Sequence, residues 1–325
     1  MMTKLQTMSL SIIIGIALSG LLLFYYQVNK TAGTPGCKRV AILLPVTHHA
    51  LAQIEQGVVA KLQELMPGKV SCDVFNAQGD RVLLHTLAHD IISKDYDAVV
   101  GIATQPSLQL QQARVKAQST VPFIFTAVSH PEQLGLVDPT TGRGVACAGV
   151  TELVTYEQHA QQLARVRPQV TKALLVYDPT QGSGLEAEHK LLAQKLVAVG
   201  ITLDVVMVHQ ARDVVTQLRG ALADHTAVIT LKDNTVHTAF DGIVAFCTEQ
   251  KLVLVASTLD AVGADIAVGL HEVDYGTAAA VIVARVLTEG ITPEQLPLVL
   301  LTDRAAQVDV PALARKGFTA EVHHA

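Results

Sequence analysis

Six short polar stretches follow apolar runs in this chain, and they hold the residue types that a small polar molecule needs. They are Thr47-His48-His49, Thr104-Gln105, Thr126 with Ser129-His130, Asp178 with Gln181 and Ser183, Asp233-Asn234, and Ser257-Thr258 with Asp260. Their hydroxyls and amides are donors suited to a carboxylate, while Asp233 and Asp260 are acceptors suited to an amine. Taken singly, each reads as an ordinary helix N-cap. Together they read as a binding site, with Asp233 the residue expected to meet a ligand's positive group. Catalysis has no comparable constellation. Ser183 sits in QGSGLE rather than in a G-x-S-x-G elbow, and HEVDY places Tyr275 where a zinc motif needs a second histidine. His85 and His89 stand four apart on a helical segment with no third metal ligand in view, and no phosphate loop occurs. No catalytic residue, metal or cofactor is therefore assigned, and an enzyme is not expected.

Something must carry these loops to one place. The runs in front of them are short and rich in Val, Ile and Leu. RVAILL (39–44), KVSCDVF (69–75), DAVVGIA (97–103), PFIFTAV (122–128) and GVACAGV (144–150) come first. KALLVY (172–177), ITLDVVMV (201–208), AVITL (227–231), LVLVAS (252–257) and DIAVGL (265–270) follow, with segments of helical period between the runs. Strands apolar on both faces, alternating with amphipathic helices, specify parallel sheets covered on both sides. The expected fold is α/β, with two doubly wound parallel-sheet lobes and a ligand cleft between them. Residues 39–150 plus about 271–292 form the first lobe, 151–270 the second, and 293–325 return over both. Ligands of such sheets sit beyond the carboxyl ends of the strands, where the six polar stretches lie.

Half of the 325 residues are hydrophobic and 16% are charged, which excludes a disordered class. A net charge of −5 gives no reason to expect a nucleic-acid partner. Rings make up 4% of the chain and Trp is absent, so little is available to stack on an indole or a sugar. Residues 5–29 carry no charge, and Leu10 to Tyr26 are almost wholly apolar, long enough to cross a bilayer as one helix. Residues 1–29 are read as a transmembrane anchor or, by cleavage near Ala17-Leu18-Ser19, as a signal sequence. Residues 30–38 are a Gly/Pro/Thr linker. Cys37, Cys72, Cys147 and Cys247 show no C-x-x-C pairing, leaving free thiols or a Cys37–Cys72 bridge as the alternatives.

The ordered stretches HHALAQIEQG, FNAQGD, GIATQPS, FTAVSHP, LKDNTV and GADIAVGLHEVDYGTAAA resemble the ABC-transporter substrate-binding proteins of the tryptophan/tyrosine type. The resemblance covers about residues 38–300. It implies a periplasmic-binding-protein-like fold of type I, whose lobes hinge shut on a small polar ligand such as an amino acid. An ABC permease in the membrane would be the partner, and the protein would be a monomer at the periplasmic face of the inner membrane, anchored or freed by cleavage. His48, Thr104, Gln105, Ser129, Asp233 and Asn234 match the family's binding motifs, and Asp260 matches more loosely. His49, Ala52, His130 and the loop from Gln181 to Gly184 depart from them, which argues against the usual aromatic ligand. A membrane-anchored sensory module using the same cleft is the alternative function.

Overall fold

The computed structural model describes residues 36–153, 155–181, 183–302 and 305–320. The expected anchor or signal at 1–29 lies outside them. Among the described residues no helix is long and apolar enough to cross a membrane.

Strand and helix alternate from the first described element onward. β1 (Lys38–Leu44), α1 (His49–Leu65), β2 (Val70–Asn76), α2 (Arg81–Ile92), β3 (Ala98–Ile102), α3 (Thr104–Ala117), β4 (Phe123–Thr126) and β5 (Ala148–Glu152) build one lobe. The second contains α4 (Glu157–Ala164), β6 (Lys172–Tyr177), α5 (Ser183–Val197), β7 (Thr202–Met207) and α6 (Val214–Ala221). It continues through β8 (Ala227–Thr230), α7 (Asn234–Thr238), α8 (Phe240–Glu249), β9 (Val253–Ala256) and β10 (Ile266–Gly269). The chain then returns to the first lobe as α9 (Glu272–Glu289) and β11 (Val299–Leu301), and ends in the second with β12 (Ala305–Val308) and α10 (Val310–Arg315).

Each lobe holds a six-stranded sheet. The first has the order β11-β5-β4-β3-β1-β2, all parallel. The second has the order β7-β6-β8-β9-β10-β12, parallel except for the edge strand β12. Alternate residues of β1 explain why its run is apolar throughout. Val40, Ile42 and Leu44 pack under α1 and α9 against Ile54, Val58 and Val283, whereas Ala41 and Leu43 face Leu84, Ile91 and Leu110 of α2 and α3. In the second lobe, Leu175 and Tyr177 of β6 pack with Leu163, Leu192 and Leu196, and Leu174 and Val176 with Leu218, Ile243 and Phe246. Burial on both faces is the usual condition of a strand inside a parallel sheet.

α9 reaches α1 closely because both helices present glycine at the crossing. A Cβ on Gly276 would lie 2.0 Å from the Ile54 carbonyl oxygen, and one on Gly57 would lie 2.6 Å from that of Val273. The run expected as one strand at 144–150 is divided. Arg143-Gly144 pairs antiparallel with Val137-Asp138, and β5 starts only at Ala148. Ala146 between them has φ 54°, a left-handed conformation that no strand can continue through. All four cysteines are free thiols, and burial pushes those of Cys147 and Cys247 up to about 12.

Candidate ligand-binding site

The residues that follow β1, β3, β4 and β5 in one lobe meet those that follow β6 and β8 in the other, and a cavity lies between them. His48 caps α1: its Nδ1 accepts from the Leu51 amide at 3.5 Å. That bond makes Nε2 the protonated nitrogen, which donates across the cleft to Asn234 Oδ1 at 3.1 Å. α3 begins differently. Its cap is Ala103, at φ 74° with no side chain able to accept from the first turn. Thr104 and Gln105, the first residues of this uncapped helix, line the cavity, and a helix start is a favourable place for negative charge. Beyond β4 the backbone is again left-handed at Ala127 (φ 53°) and His130 (φ 52°), flanking Ser129. Non-glycine residues in that region store strain of about 1–3 kcal/mol each, and such strain gathers at functional sites.

The second lobe supplies Gln181, Gly184, Leu185 and Glu188 around the start of α5, then Lys232, Asn234 and His237 around α7. Several contacts pin the lobes together. Gln105 Nε2 donates to the Gln181 carbonyl at 3.3 Å, and Arg81 donates to Thr180 Oγ1 at 2.7 Å. Gly184 lies close under Ser129 and His130; a Cβ there would be 3.4 Å from the His130 ring. His48 stacks on His237 with centroids 5.3 Å apart, and His237 stacks in turn on Phe240 at 5.7 Å. This is a closed cleft. The cavity has room of about 80 Å³, against about 10–15 Å³ for one water.

Charge is concentrated where the chain passes between lobes. Lys232 Nζ lies 2.8 Å from Glu152 at the end of β5 and 3.7 Å from Glu272 at the start of α9. It also donates to the Tyr275 hydroxyl at 2.8 Å and sits over that ring. Glu188 lines the cavity from α5, and its Oε2 accepts from the Tyr156 hydroxyl at 2.5 Å. Burial raises the pKa of Glu188 and of Glu272, the latter against the pull of Lys232. Burial lowers that of His48, and lowers His237 to about 3 with the help of His48 and Lys232. Both imidazoles are neutral at pH 7.

The model of the family described as ABC transporter substrate binding protein matches residues 39–321. This chain belongs to that family. Its fold is close to the ABC domain of Streptococcus pneumoniae crystallised in complex with L-Trp. The two chains are 20% identical, with a TM-score of 0.79 over 87% of this chain and 95% of the other. A conserved domain protein of Vibrio cholerae superposes equally well, with a TM-score of 0.79 at 25% identity over 87% and 96% of the two chains. A tyrosine-binding protein of Clostridioides difficile is 25% identical over 156 residues, 47% of this chain and 44% of that one.

Of the residues expected from sequence, His48, Thr104, Gln105, Ser129, Gln181 and Asn234 line this binding protein's cavity. Ser183 is the first residue of α5. Asp260 stands on a separate surface hollow with His49 and Asp241. Its carboxylate accepts from the Glu272 amide at 2.6 Å and from His271 at 2.8 Å, holding the start of α9. Asp233, the expected partner of a ligand's amine, is given other work. It is 1% exposed and does not line the cavity. Oδ1 accepts from the amides of Thr235 and Val236 at 2.8 and 3.2 Å, and Oδ2 accepts from the Asp178 amide at 2.5 Å. Both oxygens are spent on the backbone. Asp233→Ala should therefore lower stability by about 1–2 kcal/mol through the lost cap, read as a shift in the urea midpoint. Burial raises the Asp233 pKa to about 6, above the ordinary carboxylate value of about 3.9. Its contribution is therefore greatest at low pH and declines as pH rises through about 6.

Glu152, Glu188, Lys232, His237, Glu272 and Tyr275 line the cavity without having been expected there. One of them did leave a trace in the sequence. Glu188 stands on the stripe Leu185, Leu192 and Leu196 by which α5 enters the core, and a charge on such a stripe is out of place.

Proposed function

We propose that this binding protein captures a small polar ligand, amino acids foremost among the candidates, by closing its two lobes, and presents it to an ABC permease in the membrane. The observation that carries this reading is the cavity between the lobes, which are bridged around it by His48–Asn234, Gln105–Gln181 and Arg81–Thr180. A ligand that contacts both lobes favours the closed state by its differential affinity for it. The Thr104 and Ser129 hydroxyls and the open first turn of α3 suit a carboxylate or carbonyl end. The tyrosine-binding relative and the neighbour crystallised with L-Trp make amino acids the first compounds to try. An aromatic side chain would find few rings here: among the described residues, Tyr275 and the two histidines are those that line the cavity. The protein would be a monomer at the periplasmic face of the inner membrane, anchored by residues 1–29 or released to the periplasm by their cleavage. The test is a thermal-shift screen of the purified chain against amino acids and small organic compounds, followed by calorimetry. Saturable binding of one class is the expected result, and no shift with any compound sinks the reading. Co-purification with a permease, rather than with a kinase or cyclase, would mark transport over sensing.

A further inference from the structure

Three carboxylates and one ammonium line the cavity: Glu152, Glu188, Glu272 and Lys232. No arginine joins them among the described lining residues, and both lining histidines are neutral. Lys232 is committed to Glu152 and Glu272. Glu188 is not served by it. No lysine or arginine pairs with Glu188 among the described residues, although its side chain is 3% exposed. Oε2 has the Tyr156 hydroxyl; Oε1 has no donor in hydrogen-bond geometry, although the Ser129 hydroxyl lies near the carboxylate and the His130 ring faces it.

A buried carboxylate oxygen without a donor is costly, and such groups in native proteins call for a reason. Packing offers none, since the positions before and after Glu188 on the α5 stripe are leucines and an apolar side chain would fit that face. The cavity around it is apolar at Leu51, Ile54, Leu134 and Leu185. An anionic ligand would meet a wall of net negative charge. A bare metal ion would find too few oxygens, because hard cations take six or more. A protonated amine supplies both the missing positive charge and the missing donor.

The geometry points to Glu188 as the seat of an ammonium group: the ligand is a zwitterion or organic cation of amino-acid size, whose amine donates to Glu188 Oε1, and the same skeleton without its amine is refused. This rests on the capture role proposed above and names the substrate class of that cavity. Glu188 is then a specificity-determining residue in direct contact with ligand.

The experiment uses matched triplets on the full-length chain in detergent. Each triplet is an L-amino acid, the amine left by removing its carboxylate, and the acid left by removing its amine, taken across aliphatic, polar and aromatic side chains and titrated by calorimetry. At least one amine-bearing member should bind, with its deaminated partner weaker by about tenfold or more, the share of one hydrogen bond to a charged group. Glu188→Gln should erase that difference without lowering the unfolding temperature. Glu188→Asp, which keeps the charge, should weaken binding but retain the preference for the amine. The proposal fails if a deaminated acid or a neutral polyol binds as tightly as any amine, or if Glu188→Gln leaves the preference intact; capture itself then stands. If no member of any triplet binds and no polyol does, both fall.

Discussion

Lys232→Met is expected to lower stability by about 3–5 kcal/mol at neutral pH, the typical cost of removing one partner from a buried ionic cluster. The side chains of Glu152 and Glu272 are 5% and 4% exposed, and Lys232 lies within reach of both. Removing it leaves two neighbouring buried carboxylates facing each other, and methionine fills the stem's volume without answering either charge. The deficit should depend on pH. Burial already holds the folded pKa of Glu272 above its unfolded value, so the folded protein keeps that proton where the unfolded chain has lost it. Stability from such a group is present at low pH and drains away as pH rises. Without Lys232 the carboxylates become harder still to ionise, and the gap to wild type should be smallest at pH 5 and widest at pH 8. Urea unfolding at pH 5, 7 and 8 reads this directly; an equal gap at each pH would show that Lys232 contributes packing rather than charge. Because Lys232 lies in the second lobe while Glu152, Glu272 and Tyr275 lie in the first, the same variant should loosen closure.

What the sequence made legible follows from how many neighbours a feature needs. The two sheets were readable because a strand such as β1 is apolar on both faces, a property of the strand alone. The convergence of the loops after β1, β3, β4, β6 and β8 was readable because parallel strands must all point their carboxyl ends the same way. The role of Asp233 was not. Its Oδ2 takes the amide of Asp178, 55 residues earlier, and nothing near Asp233 in sequence announces that bond. The cap was half visible in the helix that follows; the strand-to-strand tether was hidden. Lys232 gives no sign of its role, since its partners lie at the end of β5 and the start of α9, far away along the chain. Glu188 belongs to the second turn of a helix, where no strand-end rule looks, and only its place on an apolar stripe marks it. The division of 144–150 turned on the left-handed Ala146, a residue type that gives no warning of positive φ.

Ligand affinity should fall below about pH 6.5: an imidazole whose pKa drops from about 6.5 in the open cleft to about 3 in the closed one, as at His237, costs about fivefold between pH 6.5 and 5.5, and His48, whose pKa is lowered too, adds to the fall. His48 comes from one lobe and His237 from the other, and closure brings their rings 5.3 Å apart. Closure also buries them: both pKa values are lowered, that of His237 to about 3. An open cleft returns each ring to water and to a pKa near 6.5. The closed form therefore binds fewer protons than the open one, so acid opposes closing, and a ligand that requires closure binds less tightly as protons are added. The neighbours on every side leave this sign unchanged. His49 on α1 and Lys232 on the second lobe add positive charge, and each depresses His237 further. Asp241 and Asp260 stand across the adjoining hollow, but Asp260 is already engaged by His271 and the Glu272 amide. Glu188 acts in the same direction, since its raised pKa lets it take a proton on acidification and lose its hold on an amine. The contributions separate by substitution. In Glu188→Gln the carboxylate is gone and the remaining slope is that of the histidines; His237→Gln in that background should reduce it, since His237 is the more strongly shifted of the two. Calorimetric affinities across pH 5.5–7.5 measure both slopes, and a flat profile in Glu188→Gln would mean that the imidazole pair does not govern closure.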